Sequence, residues 1–379
     1  MNPHEFFDYL RPWSKRKHRL LRKYLPPFIA KVAKATSDRE IYCVDGFAGA
    51  ASYDDGSEGS PLLIARFSDE CAQWQNPVFL RLINVEADSR KEGIFSSLEG
   101  ATAEWKEKGV VTNIHSDFRS ALPEILRTIG RSPALFFIDP FGPTHLYFDD
   151  LRPIFLRDNR ITELIINFDQ DGLRRIVDAG SSERTNPKAA ATNLENISKV
   201  IGSNGWKSQI LGGNLTTLEA EAVLVREYMA NIAKYGYDVV AYPIRDILES
   251  NPKYHFVYCT RHRDGIALMN DFIRDEEDLL YGNYVEEKLT LFSSEASLSN
   301  EIESRRLELT DLVKDVISRR QIVTRGQIRN ELVPAKFGKF HSKDYNAVVQ
   351  DLLKIGFIRE TGGKTRINDQ DSLRIVTIQ

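Results

Sequence analysis

The chain has 379 residues, 42% of them hydrophobic and 28% charged, with a formal charge of −3. That composition is globular and long enough for two or three domains, and no apolar run reaches the roughly 18 residues a membrane span needs. Cys43, Cys71 and Cys259 lie too far apart for a disulfide framework or a zinc site, and charge fills the N-terminus where a signal peptide would be apolar. The expected compartment is a reducing cytoplasm.

The net charge hides basic ends. Residues 1–34 carry a balance of +7 and residues 310–379 one of +5, which leaves −15 for the middle. Basic ends on an acidic body point to a polyanionic partner, DNA or RNA being the commonest, with solvated helix faces as the alternative. The first segment, to about Ala35, reads as a helix with Leu20, Leu21, Tyr24 and Leu25 on one side. Five short apolar runs follow: "IYCVD" (41–45), "FLRLINVEA" (79–87), "VVTNIHSD" (110–117), "ALFFIDP" (134–140) and "ELIINFD" (163–169). Helical stretches separate them. Such alternation predicts an α/β fold, a parallel Rossmann-like sheet with helices on both faces.

Residues 170–236 read as a mostly helical insertion whose polar part, "DAGSSERTNPKAAATNLEN", would form a lid or loop. "YDVVAYPIR" (237–245) and "YHFVYCTRH" (254–262) would pair antiparallel and close the sheet, with "GIALMNDFIRD" as a helix beside them. This first domain would span 1–292, followed by a serine-rich linker over 293–306. Residues 307–379 form a second domain: an amphipathic helix, a short helix N-capped by Thr324, a longer helix capped by Ser342 and stopped by Gly356, then two short strands around Gly362–Gly363. Three helices and a hairpin in that order describe a winged helix-turn-helix. Lys343, Asn346 and Gln350 would lie on its recognition helix, and Arg359, Lys364 and Arg366 would flank the wing.

Parallel α/β sheets bind ligands at the carboxyl ends of their strands. Four successive strand ends carry an acid: Asp45 in "VDGFAG", Glu86 in "INVEA", Asp117 in "HSDF" and Asp139 in "IDPFG". A ligand rich in hydroxyls, amines and positive charge needs such acceptors, and S-adenosylmethionine is one. A glycine turn lets the backbone approach the methionine and ribose, the second acid can accept ribose hydroxyls, and the third can accept the adenine amine. A dinucleotide would call for GxGxxG, which "DGFAGA" is not, and no P-loop is present. The cofactor positions are therefore Asp45, Gly46, Phe47, Ala48 and Gly49 in the turn, then Glu86, and Asp117 with Phe118.

Each position has a plainer reading. Asp45 can cap a turn, Glu86 can face a helix dipole, and Asp117 is placed as an N-cap as readily as an adenine ligand. Asp139 can start a turn at Pro140, and Phe141 and Phe148 can be core. "FFIDPFG" nevertheless matches the place where amino-group methyltransferases carry Asp/Asn-Pro-Pro-aromatic, whose carboxylate and carbonyl orient the acceptor amine. Asp139 and Pro140 keep that pattern, while Phe141 and Gly142 depart from it.

From "SKRKHRLLRKYL", "YCVDGFAGAASYDDGSEGSPL", "FFIDPFG" and "YHFVYCTRHRDGIALMNDF" the chain resembles, nearly end to end, the three-Cys-motif partner proteins, which carry a C-terminal winged helix. The first half also looks like the bacterial ribosomal-RNA adenine-N6 methyltransferases with a "HAGAG-Y" loop. The resemblance implies a class I methyltransferase fold, S-adenosylmethionine as cofactor and a partner bearing three cysteines. The family's "KH" pattern puts Lys17 and His18 near the cofactor, whereas a solvated basic face is the reading from charge alone. The expected activity is methylation of nucleic acid at an exocyclic base amine, with Asp139, Pro140 and Phe141 at the reacting centre. The rival readings are a non-catalytic partner subunit of the same fold, or a methyltransferase for a small molecule or protein.

Overall fold

The computed structural model describes residues 12–53, 55–88, 93–142, 145–159, 161–169, 172–173, 175, 186–211, 215–288, 291–362 and 368–376. The chain divides into two units, one running to Asp246 and resuming at Ser250–His262, the other made of Ile247–Glu249 and the chain from Arg263 on.

The first unit is built on seven strands: β1 (Glu40–Asp45), β2 (Phe79–Glu86), β3 (Val111–His115), β4 (Ala134–Ile138), β5 (Thr162–Phe168), β6 (Asp238–Ile244) and β7 (Tyr254–Thr260). They lie in the order β3-β2-β1-β4-β5-β7-β6. The five from β1 to β5 run parallel, and β7 is antiparallel to both its neighbours. Every residue of β4 and β5 is buried, as expected of central strands covered on both faces, so these read as unbroken apolar runs rather than alternating ones. Chain order reverses between β1 and β4. Their carboxyl ends therefore flank the crevice in which such sheets bind ligands.

Helices cover the sheet: α1 (Pro12–Val32), α2 (Ser60–Ala72), α3 (Ile94–Glu107), α4 (Phe118–Ile129), α5 (Phe148–Phe155), α6 (Pro187–Ile201), α7 (Gly205–Ile210) and α8 (Thr217–Ala233). In α1 the apolar side predicted from Leu20, Leu21, Tyr24 and Leu25 is fully buried. The helical insertion expected over 170–236 is in part core. Ile197, Val200 and Ile201 of α6 and Trp206 of α7 pack in one cluster with Phe148, Phe168 and Tyr228, because α6 places its apolar residues on one face. Residues 178–185 of the polar stretch expected as a lid or loop lie outside the described residues.

The second unit contains α9 (Arg263–Lys288), α10 (Leu291–Arg320), β8 (Ile322–Thr324), α11 (Arg325–Ala335), α12 (Ser342–Lys354), β9 (Ile358–Glu360) and β10 (Ser372–Ile375). The strands form one antiparallel sheet in the order β8-β10-β9. Four sequence expectations change here. The helix begun by "GIALMNDFIRD" belongs to this unit, so the division falls at His262–Arg263 and not at 292. The expected linker 293–306 is helical, since its Ser, Glu and Arg residues sit within the thirty-residue α10. The second strand of the hairpin starts at Ser372, and β8 was not foreseen. Thr324 does cap α11, in a capping box with Gln327, but α12 is capped by His341 with Asp344 rather than by Ser342. Among the described residues no helix is long and apolar enough to cross a membrane.

Candidate functional site

A cavity of about 400 Å³ opens at the carboxyl end of the first unit's sheet. One wall is the turn after β1. Phe47, Ala48 and Gly49 line it, as do Tyr53 and Ser60 further along. Local geometry accounts for the glycines of this turn. Gly49 has φ of +68°, a left-handed conformation that glycine adopts without steric cost. Gly59 donates its amide to the Ala51 carbonyl at 2.7 Å, and a Cβ at Gly59 would come within 2.9 Å of that same oxygen. Ala51 is itself held at φ of +67°, a conformation a non-glycine residue adopts only under constraint. The loop is thus closed on itself.

The acids of the strand ends divide into separate roles. Asp45 is fully buried, accepts the Phe47 amide at 3.2 Å, and does not reach the cavity wall. Burial pushes its pKa up to about 7 against the opposing hydrogen bonds from Ser60 and Phe47. Glu86 is also buried. Its Oε2 accepts the Gly49 amide at 2.9 Å, and its Oε1 accepts the amides of Ala87 at 3.0 Å and Asp88 at 2.8 Å. Burial raises its pKa while those three amides lower it. Glu86 therefore ties the end of β2 to the glycine turn. Asp117 is exposed and caps α4 by accepting the Ser120 amide at 3.0 Å, the plainer of its two readings. Gly46 and Phe118 are packing partners, since a Cβ on Gly46 would stand 2.9 Å from the Phe118 ring.

Asp139, Pro140 and Phe141, brought up by β4, line the same cavity. Here α1 intervenes. Lys17 donates to Asp139 Oδ2, with side-chain exposures of 9% and 27% for the pair. The same ammonium stands 5.3 Å from the centroid of the Tyr254 ring. His18 lines the cavity too, and burial and the Lys17 charge lower its pKa to about 4, so its imidazole is neutral at physiological pH. The solvated basic face read from charge is thus wrong for Lys17 and Arg16, which are both buried. Phe141 meets Phe47 across the cavity with ring centroids 6.3 Å apart, whereas Phe148 belongs to the core. Asn167, at the end of β5, completes the wall. It was missed by the sequence reading, although a polar residue inside a buried apolar strand is a visible signal.

In the second unit Lys343 and Arg359 are exposed, while Asn346 and Gln350 are half-buried. The Asn346 Oδ1 is turned inward and meets no partner among the described residues. Arg359 lies opposite Arg374 in the register of β9 and β10, both exposed, a like-charge pair that a sheet tolerates poorly unless anions face it. Lys364 and Arg366 lie outside the described residues.

No family model matches the chain, and no curated protein does. Among solved structures it is similar to the O-methyltransferase TomG from Streptomyces achromogenes, involved in tomaymycin synthesis and determined in complex with SAM. The match covers 68% of this chain and 93% of that one, at 13% identity and a TM-score of 0.30. So weak a likeness says nothing of activity. The function must be argued from the cavity itself.

Proposed function

We propose that the protein is an S-adenosylmethionine-dependent methyltransferase acting on nucleic acid at an exocyclic base amine, and a member of the three-Cys-motif partner family. The observation that carries this reading is that the glycine turn of β1 and the Asp139-Pro140-Phe141 stretch line a single cavity. The strand order β3-β2-β1-β4-β5-β7-β6, with β7 antiparallel, supports it as the order class I methyltransferases use. A volume of about 400 Å³ is within the range of ligand pockets. The left-handed Gly49 and the self-closed loop give a backbone cradle that fits the cofactor, with Phe47, Ala48 and Gly49 holding it and Glu86 fixing them from behind. Bound there, the cofactor supplies a methyl group on a positively charged sulfur.

The chain's own part is positioning and electrostatics. Asp139 and the carbonyl of Pro140 accept hydrogen bonds from the acceptor amine and turn its lone pair toward the methyl group. Phe141 offers a ring face for a base taken out of its stack. The second unit, read as a winged helix from its helix–strand–helix–helix–strand–strand order, holds the polyanion through Arg359, Arg374 and Lys343.

The test is tritiated methyl transfer to total cellular DNA and RNA. Asp139→Ala should keep cofactor binding within a few-fold and lower transfer by roughly 10² or more, the scale of one preorganised electrostatic contact. Equal labelling by wild type and variant, or none by either, would end the enzymatic reading. A second reading, a methyltransferase-like partner subunit without turnover, is favoured by one observation: Lys17 already occupies Asp139 Oδ2.

A further inference from the structure

β5 is fully buried and carries three polar residues, Thr162, Glu163 and Asn167, of which the last two fare differently. Glu163, at the start of the strand, is saturated: Tyr24, Tyr258 and Thr260 all donate to its carboxylate. Asn167, near the other end, is equally buried at 3% exposure, yet among the described residues neither its Oδ1 nor its Nδ2 meets a hydrogen-bond partner. Buried side-chain amides are nearly always paired, because leaving both donor and acceptor unmet carries a large desolvation cost. Asn167 lines the cavity. It also stands one residue past the Ile138–Ile166 rung of the β4–β5 ladder, as Asp139 does on the neighbouring strand.

We infer that Asn167 is an acceptor-binding residue: its carboxamide reads the edge of the heterocycle whose exocyclic amine is presented to Asp139. This rests on the reading of the cavity as a methyltransferase site. A carboxamide offers one acceptor and one donor side by side. Its complement is an amine next to an unprotonated ring nitrogen, the amidine edge that adenine and cytosine carry. With one amine hydrogen shared between Asp139 and the Pro140 carbonyl and the other on Asn167 Oδ1, the ring nitrogen accepts from Nδ2. The arrangement selects aminated bases against those with an oxygen at that position and a proton on the ring nitrogen, which Asp139 could not hold.

The experiment uses the full-length protein, with adenosine and cytidine titrated in the presence of S-adenosylhomocysteine and Tm measured without ligand. Asn167→Leu, close in shape and without unmet polar atoms, should raise Tm by about 2 °C or more. It should keep cofactor affinity within about three-fold and weaken nucleoside binding at least about ten-fold. Asn167→Asp keeps the shape but exchanges the donor for a second acceptor, and should show the same nucleoside loss. A lower Tm for Asn167→Leu would mean that the amide is a structural group and would overturn the inference, as would undiminished nucleoside affinity in either variant. A wild type that binds these nucleosides but methylates no nucleic acid would end the methyltransferase reading, leaving Asn167 to be judged by the titration alone.

Discussion

Glu86 is the residue whose replacement should separate a cradle from an ordinary turn. Its carboxylate holds three amides from two segments, Gly49 on one side and Ala87 and Asp88 on the other. Hydrogen bonds to a charged group are worth about 1.5–3 kcal/mol each. Their sum overstates the effect, because the Ala87 and Asp88 amides lie near the surface and can rehydrate, and because burial of the carboxylate itself is unfavourable. Gly49 has no such recourse. In Glu86→Gln one oxygen can still accept from Ala87 and Asp88, while the new amide faces the Gly49 N–H, so one buried contact is lost, about 2 kcal/mol. In a unit of this size that is a fall in Tm of roughly 5 °C. Release of the turn also matters for binding: a cradle formed in about one molecule in ten raises the apparent Kd about ten-fold. Differential scanning calorimetry and titration with S-adenosylmethionine measure both. A Glu86→Gln variant that melts within a degree of wild type and binds the cofactor equally well would refute this account of the loop.

Asp45 gives a pH test. Its pKa rises from 3.8 to about 7 on folding, so between those values the folded state holds the extra proton and stability falls as pH rises. The advantage of Asp45→Asn over wild type should therefore grow from about pH 4 to pH 7, by up to about 4 kcal/mol, and then stay flat; denaturant titrations across that range should show it. Gly59→Ala should destabilise the fold by about 1–3 kcal/mol through the forced contact with the Ala51 carbonyl, seen as a lower Tm, with cofactor affinity falling alongside. Arg359→Glu with Arg374→Glu, in the full-length chain, should weaken duplex DNA or structured RNA binding and flatten its salt dependence without touching cofactor affinity. Unchanged salt dependence would turn the second unit into a protein-interaction module.

The parallel sheet was legible because fully buried strands read as apolar runs separated by amphipathic helices, and all seven strands fall where the runs lie. The antiparallel closure by β6 and β7 was legible as well. Three features were not. The serine-rich stretch of α10 is polar enough to look like a linker, and only its continuity with the amphipathic 307–320 segment makes it helical. The strand-end acids look alike in sequence, yet Glu86 faces backbone amides and Asp117 caps a helix, since which groups surround a carboxylate depends on contacts remote in the chain. Only the family's "KH" pattern puts Lys17 near the cofactor, and charge alone reads it as part of a solvated basic face. Its burial follows from the apolar side of α1 docking against the sheet, which carries Lys17 down with Leu20, Leu21 and Tyr24.

That lysine also changes how the reacting centre is understood. A carboxylate meant to orient an amine must itself be held, because a side chain free to rotate loses the positional advantage it is there to provide. Lys17 supplies the hold by donating to Oδ2, and Tyr254 under its ammonium fixes the lysine in turn. In the proposed reaction Oδ1 and the Pro140 carbonyl would face the acceptor, with Asn167 alongside on the next strand. The proline and aromatic that this motif lacks after Pro140 would have stiffened the same stretch locally. Here stiffness comes from a remote helix, so the departure at Phe141 and Gly142 need not cost orientation. The ion pair that favours a scaffold when read as occupation of Asp139 favours an enzyme when read as support for it. The Asp139→Ala comparison distinguishes the two, because a supported carboxylate contributes to transfer and an occupied one does not.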